Sequence, residues 1–325
     1  MKLNYIFTTI LALLAIPTWA GDVAINETNF PDANFRNYLL ARYYGQDGIL
    51  TEEEISKITS IEVSYKQISS LQGIEFFTAL TDLSCLGNQL TSLDVSHNTA
   101  LTKLSCSYNQ LTSLDVSHNT ALRELDCGKN RLTSLDVSHN TALTSLECYN
   151  NQLTSLDVSG ATALEELDCY ENQLTSLDVS GATALTSLGC PDNQLTSLDV
   201  SHNTALTRLM CFNNQIKGTE MDNLVNSLPI NDSKYKEFYV YGGEKDGNVC
   251  TTVQVAVAKS RGWTPWYWYL ETGERGEYAG SDPSGIEDVT ISGIEDAPVY
   301  NLSGQRLSAP QKGINIVNGK KVMKK

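Results

Sequence analysis

One phrase returns every 21 residues through the middle of this chain. Seven cysteines mark it, at Cys85, Cys106, Cys127, Cys148, Cys169, Cys190 and Cys211, and an asparagine follows each of them three residues later, from Asn88 to Asn214. The wording is L-x-x-L-x-C-x-x-N-x-L, then T-S-L-D-V-S-x-x-T-A. Self-similarity at a fixed period dictates a solenoid, because one such unit cannot bury its own apolar residues and must stack on its neighbours. Leu83 and Cys85 are two apart, and so are Leu93 and Val95; residues spaced by two face the same side of a strand. Stacked coils therefore bury columns of leucine, valine and cysteine, with the thiols acting as small hydrophobes. The asparagine column is placed to satisfy turn backbone groups of its own and the adjoining coil.

On these residues the stretch 58–215 resembles the leucine-rich-repeat family. The L-x-x-L-x-apolar rhythm recurs within each unit, at Leu90-Thr91-Ser92-Leu93-Asp94-Val95, which resembles the short, nested class of bacterial leucine-rich repeats. The expected fold is a β-rich repeat solenoid with parallel strands on both sides, not a horseshoe backed by helices. The cysteines are expected to stay free: in-register side chains on parallel strands point into the core together instead of at each other. Burial also makes them inert as nucleophiles.

The flanks divide the chain further. Residues 1–20 combine Lys2, the apolar run Ile10 to Ile16 and Thr18-Trp19-Ala20, the pattern of a cleaved signal peptide. The chain is thus expected to be secreted or at the cell surface, with no membrane-spanning segment once the signal is gone. Residues 21–57 read as a helical N-terminal cap. Pro31 opens a helix with Phe35, Tyr38 and Leu39 on one face, and Thr51-Glu52-Glu53-Glu54 is a capping box for a second. The adjacent Asp47-Gly48 resembles the middle of a calcium loop, but Tyr43 and Gly45 stand where carboxylates are needed. Residues 216–271 read as an α/β C-terminal cap. Its parts are a helix through Met221, Leu224, Val225 and Leu228, a strand at Phe238 to Tyr241, a helix from Thr251 with Gln254, and a strand at Trp266-Tyr267-Trp268-Tyr269. The aromatics of that last strand read as cap core. Residues 272–298 read as a linker. Residues 299–325 read as a small β tail with Ser-Gly and Asn-Gly turns. Tyr300-Asn301-Leu302-Ser303-Gly304-Gln305-Arg306 and the stretch from Lys312 to Lys321 resemble the sorting segment of proteins exported by type IX secretion, which implies that machinery as a partner.

Removing residues 1–20 leaves 22 bases against 38 acids. That balance excludes nucleic acid, which needs a positive face. No P-loop, G-x-S-x-G, H-E-x-x-H or dinucleotide glycine pattern occurs, so no enzyme is expected, nor a cofactor. Function is expected on a surface. Between repeats, L-T-S-L-D-V-S hardly changes, whereas the residues flanking each cysteine vary: Ser84, Ser105, Asp126, Glu147, Asp168, Gly189 and Met210 before it, and Leu86, Ser107, Gly128, Tyr149, Tyr170, Pro191 and Phe212 after it. Both columns should face solvent on one sheet. Asp126, Glu147 and Asp168 with Tyr149, Tyr170 and Phe212, extended by Tyr108 and Arg208, form the expected binding face, since aromatics among polar groups make effective contact anchors. The expected ligand is an extracellular protein, as for an adhesin, or a glycan; a passive spacer is the remaining reading. Two columns lie elsewhere. Asp94, Asp115, Asp136, Asp157, Asp178 and Asp199 repel one another, a repulsion that either a divalent cation or neighbouring hydroxyls and water would relieve. His97, His118, His139 and His202 share one position, filled by Gly160 and Gly181 in two repeats, which reads as an exposed corner and not a zinc site.

Overall fold

The computed structural model describes residues 21–269, 272–281, 299–300, 305–307, 313–317 and 320–324. The expected signal peptide and most of the expected linker lie outside them. Eight short parallel strands occupy one wall of the solenoid: Ser60–Glu62, Asp82–Ser84, Lys103–Ser105, Glu124–Asp126, Ser145–Glu147, Glu166–Asp168, Ser187–Gly189 and Arg208–Met210. Leu104, Leu125 and Leu146 are partners in successive strands, a register step of one repeat. We call this the front wall. Its coils are bonded tightly, with Cys106 N–H donating to Asp126 O and Cys127 N–H to Glu147 O, each at 2.8 Å. Every repeat cysteine is fully buried and free, as the parallel stacking of inward side chains requires.

The asparagine column is a true ladder. Asn151 donates from Nδ2 to the carbonyls of Cys148 in its own coil and Cys127 in the preceding one, both at 3.1 Å, and its Oδ1 accepts Leu132 N–H at 3.0 Å. The same trio of bonds recurs at Asn109, Asn130, Asn172, Asn193 and Asn214. Just before each rung the backbone turns left-handed, at Gly87, Tyr108, Lys129, Asn150, Glu171, Asp192 and Asn213.

The opposite, back wall is built from the T-S-L-D-V-S wording and forms a regular ladder only between Ser134–Asp136 and Ser155–Asp157. Parallel strands thus occur on both sides, as expected, but unequally. The back-wall wording also turns locally: Asp94 Oδ1 accepts Ser96 N–H, and Asp115, Asp136, Asp157, Asp178 and Asp199 do the same two residues on. This Asx turn closes each back-wall stretch after its aspartate, in the two coils that pair as in the others.

Both ends are closed. Asp32 caps the helix Ala33–Leu40, accepting from Asn34 and Phe35 N–H, while its second oxygen accepts Ser69 N–H and Oγ from the first coil. Phe35 and Leu39 are buried, and Thr51 and Glu54 form the expected capping box of Glu52–Ile55. At the other end Glu237–Tyr241 and Thr264–Tyr269 extend the front sheet in parallel, connected by the helix Thr252–Ser260, which packs on the helix Thr219–Ser227. Asn248 supplies a last ladder rung, donating to Cys211 O and accepting Ile216 N–H. Buried Trp263 donates from Nε1 to Pro229 O at 2.9 Å. The linker reading needs one correction: Glu274–Glu277 pairs antiparallel with Thr264–Tyr269 and forms the sheet edge. The tail's strands Val299–Tyr300, Arg306–Leu307, Gly313–Val317 and Lys320–Lys324 form a separate four-stranded antiparallel sheet.

Candidate partner-binding face

The solvent side of the front wall collects the side chains that alternate with the buried leucines. Asp126, Glu147 and Asp168 stand opposite one another in register on three neighbouring strands, and Glu124 and Glu166 flank them on the same side. Five carboxylates thus sit on strands spaced by roughly 4.8 Å. Lys103 lies 2.7 Å from Glu124, and Arg208 Nε lies 3.7 Å from Glu237. Asp126 is further held by Ser107 Oγ at 2.6 Å and Ser105 Oγ at 3.2 Å. Burial, and then the charges of Asp126, Asp168 and Glu166, push the Glu147 carboxyl above its ordinary range. Burial also raises that of Asp168, with Arg208 opposing it and Glu166 adding to it. These carboxylates are crowded by like charge and short of cations, a state that an incoming cation relieves.

Beside them, Tyr149 and Tyr170 stack face to face, with ring centroids 4.8 Å apart and planes 8° from parallel. The stack needs Gly128: a Cβ there would lie 2.6 Å from the Tyr149 ring. Both phenols are raised, chiefly by burial and then by nearby acids, that of Tyr170 to about 12. Downstream the surface dips at Gly189 and Pro191, which are buried. A Cβ on Gly189 would lie 2.1 Å from Asp168 Oδ1, so glycine is what lets that carboxylate lean over the next coil.

Of the residues singled out from sequence, Asp126, Glu147, Asp168, Tyr149, Tyr170 and Arg208 come together on this face. Tyr108 lies beside it, on the left-handed turn, exposed and with Lys129 Nζ 4.6 Å from its ring centroid. Phe212 is a correction: it is 1% exposed and packs against Trp268 at 6.2 Å, so it offers no contact surface. The strand carrying Trp268 comes from the C-terminal cap and covers that position. Sequence reasoning also missed residues. Glu124 and Glu166 precede Asp126 and Asp168 by two and share their side. Trp266 and Trp268, read as cap core, are only partly buried and extend the face beyond Met210 and the buried Tyr239. The same alternation by two, carried into the added strands, finds them.

The other columns have structural duties. Hydrogen bonds from Ser96, Ser117, Ser138 and Ser180 hold Asp94, Asp115, Asp136 and Asp178 below the usual carboxylate range. Among the described residues no three His, Cys, Asp or Glu side chains come together as a metal-binding group. The histidines line a corner, His118, His139 and His202 being exposed. Glycine is not merely tolerated there, however. His occurs where Asn follows, as in His139-Asn140, and Gly where Ala follows, as in Gly160-Ala161 and Gly181-Ala182. Asn140 Nδ2 donates to Val116 O and Asn119 O of the preceding coil, and Ala161 has no such reach. The Gly–Ala corner sinks inward until a Cβ at Gly160 would lie 1.8 Å from Ser138 O, which explains the paired swap. The thiols are no reaction centre: burial pushes Cys85 and Cys250 up to about 12 and the other repeat cysteines well above their ordinary value.

Comparisons agree with this architecture. The family description "Leucine Rich repeats (2 copies)" matches residues 99–140. Internalin J of Listeria monocytogenes is 43% identical over 70 residues, which are 21% of this chain and 8% of that protein. A solved structure described as the functional domain of Internalin J, including a cysteine ladder, superposes with a TM-score of 0.54 at 33% identity over 75% of this chain and 56% of that one. A leucine-rich-repeat protein of Leptospira interrogans shares the fold at a TM-score of 0.55 and 22% identity, over 67% of this chain and 56% of that one. The chain therefore spans a small part of its curated relative and little more than half of the first two solved relatives. Among the described residues no helix is long and apolar enough to cross a membrane. The chain is a leucine-rich-repeat solenoid related to the Listeria internalins.

Proposed function

We propose that this chain is a non-catalytic, secreted or cell-surface binding protein of adhesin type, and that it grips an extracellular protein with its front wall. The observation that carries the reading is the Tyr149–Tyr170 stack set among Glu147, Asp168 and Asp126 on one face. Two part-buried aromatic rings stacked on each other, with Tyr149 seated over Gly128, cost little entropy on binding, and the carboxylates about them select cationic contacts. The relation to Internalin J supports a protein-interaction role. Export through residues 1–20 and delivery through the type IX-like phrases of residues 299–325 belong to the same proposal and rest on the sequence.

The test is capture of extracellular proteins by the chain from residue 21 onward, alongside a glycan array, with the wild type and with Glu147→Gln, Tyr149→Ala, Asp168→Asn and Tyr170→Ala combined. Protein capture that the combined variant loses supports the reading. Capture that the variant leaves unchanged removes this face as the site, and array binding without protein capture makes the ligand a glycan.

A further inference from the structure

The chain's charge is divided in a way that bears on this face. Residues 299–325 carry Arg306, Lys312, Lys320, Lys321, Lys324 and Lys325 and no acid. Setting those six and Lys2 aside from the 23 bases leaves 16 in residues 21–298, against 38 acids, or −22. A strongly acidic body is thus joined to a short segment of +6. On the front wall five carboxylates occupy three adjacent strands, and only Glu124 among them has a base within ion-pair distance among the described residues. The back-wall aspartates are each answered by a serine N–H, whereas on the front wall Asp126 alone of the five accepts a backbone N–H, from Gly128, among the described residues.

Reach allows the two to meet within one molecule. Ser281 is bridged to Thr251 at the C-terminal cap. The strand Thr264–Tyr269 lies four ladder steps from Glu166–Asp168, about 19 Å at ~4.8 Å per step. The 17 residues 282–298 span at most about 60 Å. A tether of that length holds its end near its target at an effective concentration on the order of millimolar. The lysine-rich strand Lys320–Lys324 forms one edge of the tail's sheet, with one backbone side unpaired within it.

We propose that the basic segment 299–325 docks on the front wall of its own chain, over Glu147, Glu166, Asp168 and the Tyr149–Tyr170 stack, so that an external partner must displace it. The inference rests on the face proposed above being a docking surface. It makes the tail a competitor as well as the export address proposed above, and it makes occupancy of the face depend on salt.

Zero-length carbodiimide cross-linking of the chain from residue 21 onward, followed by peptide mapping, tests it. At low salt the monomer should yield links from Lys320, Lys321, Lys324 or Lys325 to Glu147, Glu166 or Asp168. These links should fall to background at about 1 M salt, where charges are screened within ~3 Å. Combining Lys320→Gln, Lys321→Gln, Lys324→Gln and Lys325→Gln, which leaves the solenoid untouched, should abolish them, and Asp115→Asn with Asp136→Asn on the back wall should not. Absence of links, links confined to covalent dimers, or links spread evenly over back-wall acids would each overturn the proposal. No external partner takes part in the experiment, so its failure leaves the partner-binding reading standing.

Discussion

The two walls of the solenoid are written in nearly the same rhythm and behave differently. Front-wall leucines such as Leu83, Leu146 and Leu188 are wholly buried, whereas Leu93, Leu156 and Leu177 behind retain 8–9% exposure. Front-wall coils are joined by backbone bonds as short as 2.8 Å and again by an unbroken asparagine ladder; the back-wall bond from Val137 N–H to Asp157 O is 3.3 Å, and the asparagine column behind, Asn98, Asn119, Asn140 and Asn203, is interrupted by Ala161 and Ala182. The front wall is thus held in register from within, which frees its outward side chains to vary. The back wall relies on its outward Asp and Ser side chains to shape each turn, and its wording barely changes. Variation marks the side where the scaffold does not need the exposed residues.

The largest test of that contrast is the loss of a ladder rung. Asn151→Ala strands the buried Leu132 N–H and removes one of the two amide donors that Cys127 O and Cys148 O each accept, the others coming from Asn130 and Asn172; it should cost about 4 kcal/mol, since an unsatisfied group costs ~1–3 and each lost bond ~1. Asn140→Ala behind strands no group: Val116 O and Asn119 O keep the N–H groups of Asn119 and Leu122, and its Oδ1 has no partner to lose, so only two bonds at ~1 kcal/mol each are lost and about 2 kcal/mol is expected. Adding His139→Gly should recover part of it by allowing the sunken corner seen at Gly160. Urea unfolding measures all three, and equal losses for Asn151 and Asn140 would erase the distinction between the walls.

Next come the glycines. Gly160→Ala meets backbone, and overpacking against a fixed carbonyl should cost about 2 kcal/mol. The atoms nearest an added Cβ at Gly128 all belong to the Tyr149 ring, which can swing aside. Gly128→Ala should cost under about 1 kcal/mol and should abolish the aromatic circular-dichroism signature of the tyrosine stack. An unchanged spectrum would mean that the ring does not rest on Gly128.

The smallest effect is the pH profile. Glu147 and Asp168 are raised, so their protonated forms are favoured by folding. Stability should therefore rise as pH falls from neutral through the range just above the ordinary carboxylate values. Asp94, Asp115, Asp136 and Asp178 are lowered. Their contribution is present above the ordinary value and is lost as pH falls through it towards their folded values. The urea midpoint should pass through a mildly acidic maximum, and Asp168→Asn should flatten its neutral side only. A profile unmoved by that substitution would show that the crowding at Asp168 carries no energy.

Most of this contrast was legible in the residues themselves. The 21-residue step fixed the buried columns, and its invariant and variable halves separated scaffold from surface. Phe212 escaped because its cover, Trp268, lies 56 positions further along; a local pattern says nothing about a strand added from that distance. The incomplete back ladder escaped because apolar rhythm records which side chains turn inward and not how closely the backbones of neighbouring coils approach. The His–Asn and Gly–Ala pairing was visible as a pattern, but its cause is a carbonyl of the preceding coil.

The asparagine ladder has a consequence for how such a molecule changes over generations. Each rung bonds only its own coil and the one before it, and Asn248 completes the series from the cap regardless of how many rungs precede it. Whole coils can therefore be duplicated or deleted without disturbing either end. The gripping face lengthens or shortens by one strand width at a time, and each new copy arrives already hydrogen-bonded, with its outward positions open to drift toward a different surface.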